Sequence, residues 1–298
     1  TEGTTVSSIL YDYLQSQQID PTPILERLEH IDRPLGTWLQ KQCQQYSRPW
    51  IIGINGAQGT GKSTFAATLQ ILLREEFQLQ SLVLSLDDYY LSKEQRLQRA
   101  AAIHPLLATR GVPGTHDIEQ LNVQLSQLSS IKPGGTIRLP RFDKATDDRS
   151  SSESWCCHSS GIDLILLEGW CIGARAQQRS LLSEPINELE RQQDKDAVWR
   201  SYVNQQLENR YSTLFQQLDC LLMLQAPSFD VVVEWRQLQE QKLKQHRLGR
   251  GMSNAAVRDF VSHFERLTRH MLVELPQRAD VVLPLGWDHQ IQSVRFNQ

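Results

Sequence analysis

The sequence lacks any run long and apolar enough to span a membrane, which argues against a membrane protein. Its first residues carry no signal-peptide pattern, and the cysteine usage makes a reducing cytosol the expected setting. Cysteine is scarce and unpatterned. Cys43, Cys156, Cys157, Cys171 and Cys220 make an odd total of five, and none forms a Cys-x-x-Cys pair. That argues against a disulfide framework or a zinc site and reads Cys156 and Cys157 as reduced thiols in a loop. Excess positive charge is also missing: 31 Lys and Arg stand against 34 Asp and Glu, a net charge of −3. General nucleic-acid binding is therefore not expected. There is no internal repeat, and no pattern speaks to oligomeric state. What remains is 298 residues of ordinary globular composition, enough for one large α/β domain with additions.

What is present centres on Gly56-Ala57-Gln58-Gly59-Thr60-Gly61-Lys62-Ser63-Thr64, which fits Gly-x-x-x-x-Gly-Lys-Ser, the phosphate-binding loop. Glycines let the backbone curl so that successive N–H groups point at phosphate oxygens. The positive end of a following helix adds attraction for anions. Lys62 would reach the β- and γ-phosphates, and the Ser63 hydroxyl would ligate Mg²⁺. The flanks agree: residues 50–55 form a short apolar run suited to a buried parallel strand, and Phe65, Leu69, Leu72 and Leu73 follow at helical spacing.

Two further apolar runs end in acids. Residues 81–86 lead into Asp87, Asp88, Tyr89 and Tyr90, and residues 164–167 lead into Glu168 and Gly169. The carboxyl ends of strands are where open α/β sheets bind ligands. One of Asp87 and Asp88 could take a proton from a substrate hydroxyl or hold Mg²⁺ through water; a solvated strand end with an acidic helix cap is the plainer alternative. Glu168 reads as a magnesium-binding acid, directly or through water.

Elsewhere the signals are structural or ambiguous. Residues 1–47 carry helical apolar spacings and no chemistry; they read as a helical extension covering one side of the sheet, ahead of a kinase-like domain over 48–298. Ser92 with Gln95 and Asp117 with Gln120 look like helix caps. The turn-rich stretch 110–117 could be an anion-binding loop using Arg110, His116 and the helix start, or a plain turn and cap. Arg141 and Lys144 could bind a carboxylate or phosphate, or be isolated surface charges. Residues 147–160 are polar and serine-rich and read as a loop. A basic helix end with Lys242, Lys244, His246, Arg247 and Arg250, followed by Gly251, could be a lid over phosphates or could complement a helix terminus. Val257, Phe260, Val261, Phe264, Leu267 and Met271 mark a core-facing helix. Strands alternating with helices make a doubly wound parallel α/β sheet. From residues alone the chain is an ATP-dependent phosphotransferase or NTPase.

Resemblance goes further. The loop 56–64, the segment 84–90 and Leu167-Glu168-Gly169 resemble the phosphoribulokinase, uridine kinase and pantothenate kinase group. Within it, residues 54–59, the string Arg110-Gly111-Val112-Pro113-Gly114-Thr115-His116-Asp117, residues 139–144, Glu168-Gly169-Trp170 and Gly251-Met252-Ser253 are similar to D-glycerate 3-kinases. The resemblance covers about residues 48–285. It implies ATP and Mg²⁺ as cofactors and transfer of the γ-phosphoryl to the 3-hydroxyl of D-glycerate. Asp87 would be the base and Lys62 would neutralise the transferring group. Ser63 and Glu168 would serve the metal, and Arg247 and Arg250 would be lid arginines. Asp87, Tyr90, Arg110, His116, Arg141 and Lys144 would lie on the acceptor side. The alternatives are a related kinase for another small acceptor (pantothenate, a nucleoside or a sugar phosphate) and a nucleotide-binding regulator without phosphotransfer.

Overall fold

A computed structural model describes residues 5–132, 134–159, 161–246 and 252–297. The chain opens with helices α1 (Val6–Ser16), α2 (Thr22–Arg27) and α3 (Arg33–Cys43), the last two joined by a π-helical turn at Leu28–Asp32. Strand β1 (Trp50–Gly56) and helix α4 (Lys62–Phe77) then flank the phosphate loop. Strand β2 (Ser81–Ser85) ends in a 3₁₀ turn at Leu86–Tyr89, followed by α5 (Lys93–Ala102) and α6 (Ile118–Ser129). Both expected caps form: Ser92 and Gln95 make a reciprocal capping box on α5, and the Asp117 side chain accepts from the Gln120 N–H on α6.

Four short strands come next: β3 (Thr136–Leu139), β4 (Phe142–Asp143), β5 (Asp148–Arg149) and β6 (Cys156–Ser159). They pair as β3 with β6 and β4 with β5, both antiparallel. The stretch 147–160 is thus partly hairpin rather than loop. Its composition is polar because these ribbons lie at the surface, and buried Arg96 anchors Asp147 at 2.8 Å.

Strand β7 (Leu164–Gly169) precedes α7 (Glu188–Gln193), α8 (Val198–Gln206) and α9 (Ser212–Phe215). Strand β8 (Cys220–Gln225), α10 (Phe229–His246), α11 (Asn254–Glu274), β9 (Val281–Pro284) and β10 (Arg295–Phe296) complete the chain. The main sheet has six strands in the order β10-β9-β8-β1-β7-β2. Neighbours from β9 to β2 run parallel, and β10 adds an antiparallel edge that its two-residue sequence does not announce.

Alternate residues feed opposite faces, as strand geometry requires. Ile51, Ile165, Leu167 and Met223 join a core with α6 and α11. Ile52, Ile54, Leu164, Leu166 and Leu222 join another with α3, α4 and α10. Full burial of each such side chain contributes roughly 1.5–3 kcal/mol. Helix α1 packs Val6 and Leu10 against Ile71 and Leu72 of α4. Among the described residues no helix is long and apolar enough to cross a membrane.

Candidate active site

Strand β7 lies between β1 and β2, with Glu168 level with Ile54 on one side and Ser85 on the other. The phosphate loop, Glu168 and Asp87 are therefore delivered to one edge of the sheet by three adjacent strands. Buried Asn55, near the end of β1, donates to the carbonyls of Trp170 at 3.2 Å and Ile172 at 2.8 Å, fixing the chain just after Glu168. Gly59 and Gly61 have φ of +80° and +79°, in the left-handed region that favours glycine. Thr60 closes the loop by donating its hydroxyl to the Ala57 carbonyl at 2.7 Å. Gly61 then caps α4, and its carbonyl accepts from the Phe65 N–H at 2.9 Å. The first N–H groups of a helix have no intrahelical acceptors, which suits this end to an anion.

An open cleft of about 520 Å³ lies over the loop. Gln58, Gly59, Gly61, Lys62, Ser63 and Thr64 form its floor. Asp87, Tyr90, Arg110 and Lys144 line it as well. Its size falls in the range of small-ligand sites. The Ser63 hydroxyl lies 3.3 Å from Glu168 Oε1. Glu168 is buried, and its Oε2 has no hydrogen-bond partner.

Asp87 is half-buried and receives Lys144 Nζ on Oδ2 at 2.7 Å. Burial pushes its carboxyl up, but the Lys144 and Lys62 ammonium groups outweigh that and hold it below the usual carboxylate range. Asp88 takes the other side, accepting from Arg141 at 2.9 Å and from the Phe142 N–H at 3.1 Å. Burial prevails there, and the Asp88 carboxyl is raised. Arg110 pairs with Asp147 and sits over the Phe142 ring.

The loop 110–117 is tied to the Asp87 segment along its backbone. Leu91 N–H donates to Thr115 at 2.9 Å, and Asp117 N–H to Tyr89 at 2.7 Å. Trp170 adds an indole N–H to the Gly111 carbonyl at 2.8 Å. His116 is buried behind Tyr90 rather than on the cleft wall, with the two rings stacked 4.4 Å apart. Its Nδ1 meets the Tyr211 hydroxyl at 2.6 Å, and burial drives its pKa down to about 3, so it is neutral. Arg141 also lies off the cleft, against Asp88 and the Cys156 sulfur. Arg247 and Arg250 lie outside the described residues.

The cleft includes residues that the sequence reading did not place there. Arg236 and Gln239 of α10 line it, as do Phe260 and Phe264 of α11, which also hold their expected places in and against the core. His289 reaches the loop from the last segment, its Nδ1 2.9 Å from the Gly59 carbonyl. Its ring stacks on Trp235 at 4.2 Å, and Trp235 donates to the Trp287 carbonyl at 3.0 Å. Only contacts between distant segments reveal these roles; no local pattern marks His289.

A phosphate loop, a buried acid beside its serine and a second acid at the next strand end define a P-loop enzyme of the kinase type. Known proteins agree. The chain is 32% identical over 250 residues to a Schizosaccharomyces pombe protein named uncharacterized kinase mug58, covering 80% of this chain and 87% of that one. It is 28% identical over 258 residues to the chloroplastic D-glycerate 3-kinase of Arabidopsis thaliana, covering 81% of this chain but only 54% of that longer protein. The solved D-glycerate 3-kinase from Cryptococcus neoformans shares the fold, with a TM-score of 0.73 at 22% identity over 89% of this chain and 99% of that one. No family model matches. The chain belongs to this family of P-loop kinases, ATP-dependent small-molecule kinases that include D-glycerate 3-kinase.

Proposed function

We propose that this kinase transfers the γ-phosphoryl group of ATP to the 3-hydroxyl of D-glycerate, giving 3-phosphoglycerate and ADP. The observation that carries the reading is the setting of Asp87. A carboxylate suited to accept a hydroxyl proton shares one cleft with the phosphate loop and with two cations, Arg110 and Lys144. Small acids need a compact cationic pocket, whereas nucleosides need an aromatic, amide-lined slot. The name of the Arabidopsis relative supports the same acceptor.

ATP phosphates would lie on the N–H groups of the loop, with Lys62 on the transferring group. The residues present fit Mg²⁺: Ser63 offers a hydroxyl, and the unpartnered Glu168 Oε2 offers a carboxylate oxygen. Magnesium takes few protein ligands and fills its shell with phosphate and water oxygens. When bound it would neutralise phosphate charge. Asp87 accepts the proton of the acceptor hydroxyl as the new O–P bond forms. The bond from the γ-phosphorus to the bridging oxygen breaks, and ADP leaves with that electron pair. Arg247 and Arg250 are proposed lid residues, and Arg236 offers a further cation on the same wall. A cytoplasmic setting is part of the proposal, since the buried thiols of Cys43, Cys171 and Cys220 suit a reducing compartment.

The test is ADP release with Mg-ATP and, separately, D-glycerate, L-glycerate, pantothenate, uridine or ribulose 5-phosphate. Turnover that depends on D-glycerate supports the proposal. Turnover with another acceptor instead replaces the substrate while leaving the kinase assignment intact.

A further inference from the structure

We propose that Lys144 is the specificity-determining residue of this kinase: its ammonium masks the Asp87 carboxylate until an anionic acceptor draws it away. The inference rests on Asp87 being the base of the proposed reaction, and not on which hydroxy acid is the acceptor.

The two cations of the acceptor side are not equivalent. Arg110 is already committed, paired with Asp147 and laid over Phe142, and Asp147 is held in turn by buried Arg96. Lys144 stands on the turn joining β4 to β5. That turn is pinned by Asp143, which accepts from the Ala145 N–H at 2.9 Å and the Thr146 hydroxyl at 3.0 Å. The lysine side chain itself is 62% exposed, against 24% for Asp87. It is thus a long, solvated side chain on a firm base, with Asp87 as its one ion-pair partner among the described residues. A half-exposed pair of this kind is weak and exchangeable.

The pairing has a chemical consequence. The groups facing Asp87 are Lys144 from the β4–β5 turn, Lys62 from α4, neutral His116, the Tyr90 hydroxyl, and the neighbouring Asp88 and Cys171. With both lysines in place the carboxylate is a poor proton acceptor. Asp88 cannot take over Lys144, because Arg141 and the Phe142 N–H already occupy it. An acceptor bearing its own carboxylate can. Moving Nζ from Asp87 Oδ2 to that carboxylate frees Oδ2 beside the acceptor hydroxyl and leaves one fewer cation to depress its basicity. Water and uncharged alcohols cannot make the exchange. The same contact therefore selects hydroxy acids and restrains hydrolysis of ATP when no acceptor is bound.

The full-length chain and Lys144→Met are compared with Mg-ATP in three ways: ATP hydrolysis without acceptor, kcat/KM for D-glycerate against uncharged glycerol, and the acid limb of the pH profile. The expected result is about a tenfold rise in acceptor-free hydrolysis and a rise of about ten- to a hundredfold in KM for D-glycerate. Preference for the acid over glycerol collapses, and the acid limb moves to higher pH. Lys144→Arg restores low hydrolysis, and the double variant Asp87→Asn with Lys144→Met loses the gain. Unchanged hydrolysis and unchanged discrimination in Lys144→Met would overturn the proposal, as would a gain that survives Asp87→Asn. If the unmodified chain does not turn over D-glycerate, the glycerate reading falls. The hydrolysis arm still decides the role of Lys144.

Discussion

Ser63 Oγ and Glu168 Oε1 lie 3.3 Å apart although 105 residues separate them, and the other oxygen of Glu168 is buried without a partner. A buried, half-satisfied carboxylate costs free energy unless something binds it. Glu168→Gln should keep the fold and raise the Mg²⁺ concentration needed for half-maximal turnover by roughly tenfold or more. A magnesium titration of the rate checks this. An unchanged titration would remove Glu168 from the metal site.

Asp87→Asn removes a proton acceptor and leaves the phosphate cradle intact. Mg-ATP binding by calorimetry should be near that of the unmodified chain, while turnover falls by about 10²–10⁴. Turnover close to normal would contradict the role given to Asp87.

His116 supplies a pH dependence of stability. Its folded pKa of about 3 lies below the ordinary value of 6.5, so the unfolded chain binds more protons between those values. Stability from this group is complete above about pH 6.5 and declines as pH falls toward 3. At pH 5 the loss from His116 alone is about 2 kcal/mol, whatever the folded value, provided it stays well under 5. His263 and His270 are also lowered by burial and add to the slope. His116→Gln should flatten the drop in urea midpoint between pH 7 and pH 5. An unchanged drop would mean that His116 is protonated in the folded protein.

His289 braces the phosphate loop from a distant segment. Its bond to the Gly59 carbonyl and its stack on Trp235 hold the loop against α10. His289→Ala should raise KM for ATP by about two- to tenfold, the effect of one hydrogen bond, with little change in KM for the acceptor. Steady-state kinetics varying each substrate in turn separate the two. Equal effects on both would mean a general loosening of the site.

The strand–loop–helix around Lys62 and the acids ending β2 and β7 were legible in the sequence because each is local. An apolar run, a glycine pattern and a terminal carboxylate are all neighbours in the chain. The caps Ser92 and Asp117 were legible for the same reason. The partners of the charges were not. Lys144 with Asp87, Arg110 with Asp147 and Arg141 with Asp88 depend on how the ribbons of residues 136–159 fold back over the sheet edge. Those ribbons are short and polar, so their sequence resembles a loop. Phe260 and Phe264 keep a clean helical period whether that face meets the core or the cleft. Periodicity therefore could not distinguish the two.

The central claim is transfer to the 3-hydroxyl of D-glycerate, and product identity tests it most directly. D-glycerate and Mg-ATP are incubated with the full chain, and the phosphorylated product is identified by ³¹P and ¹³C nuclear magnetic resonance. The account predicts 3-phosphoglycerate formed in step with ADP. 2-Phosphoglycerate, or ADP released with no phosphorylated acid, would contradict it.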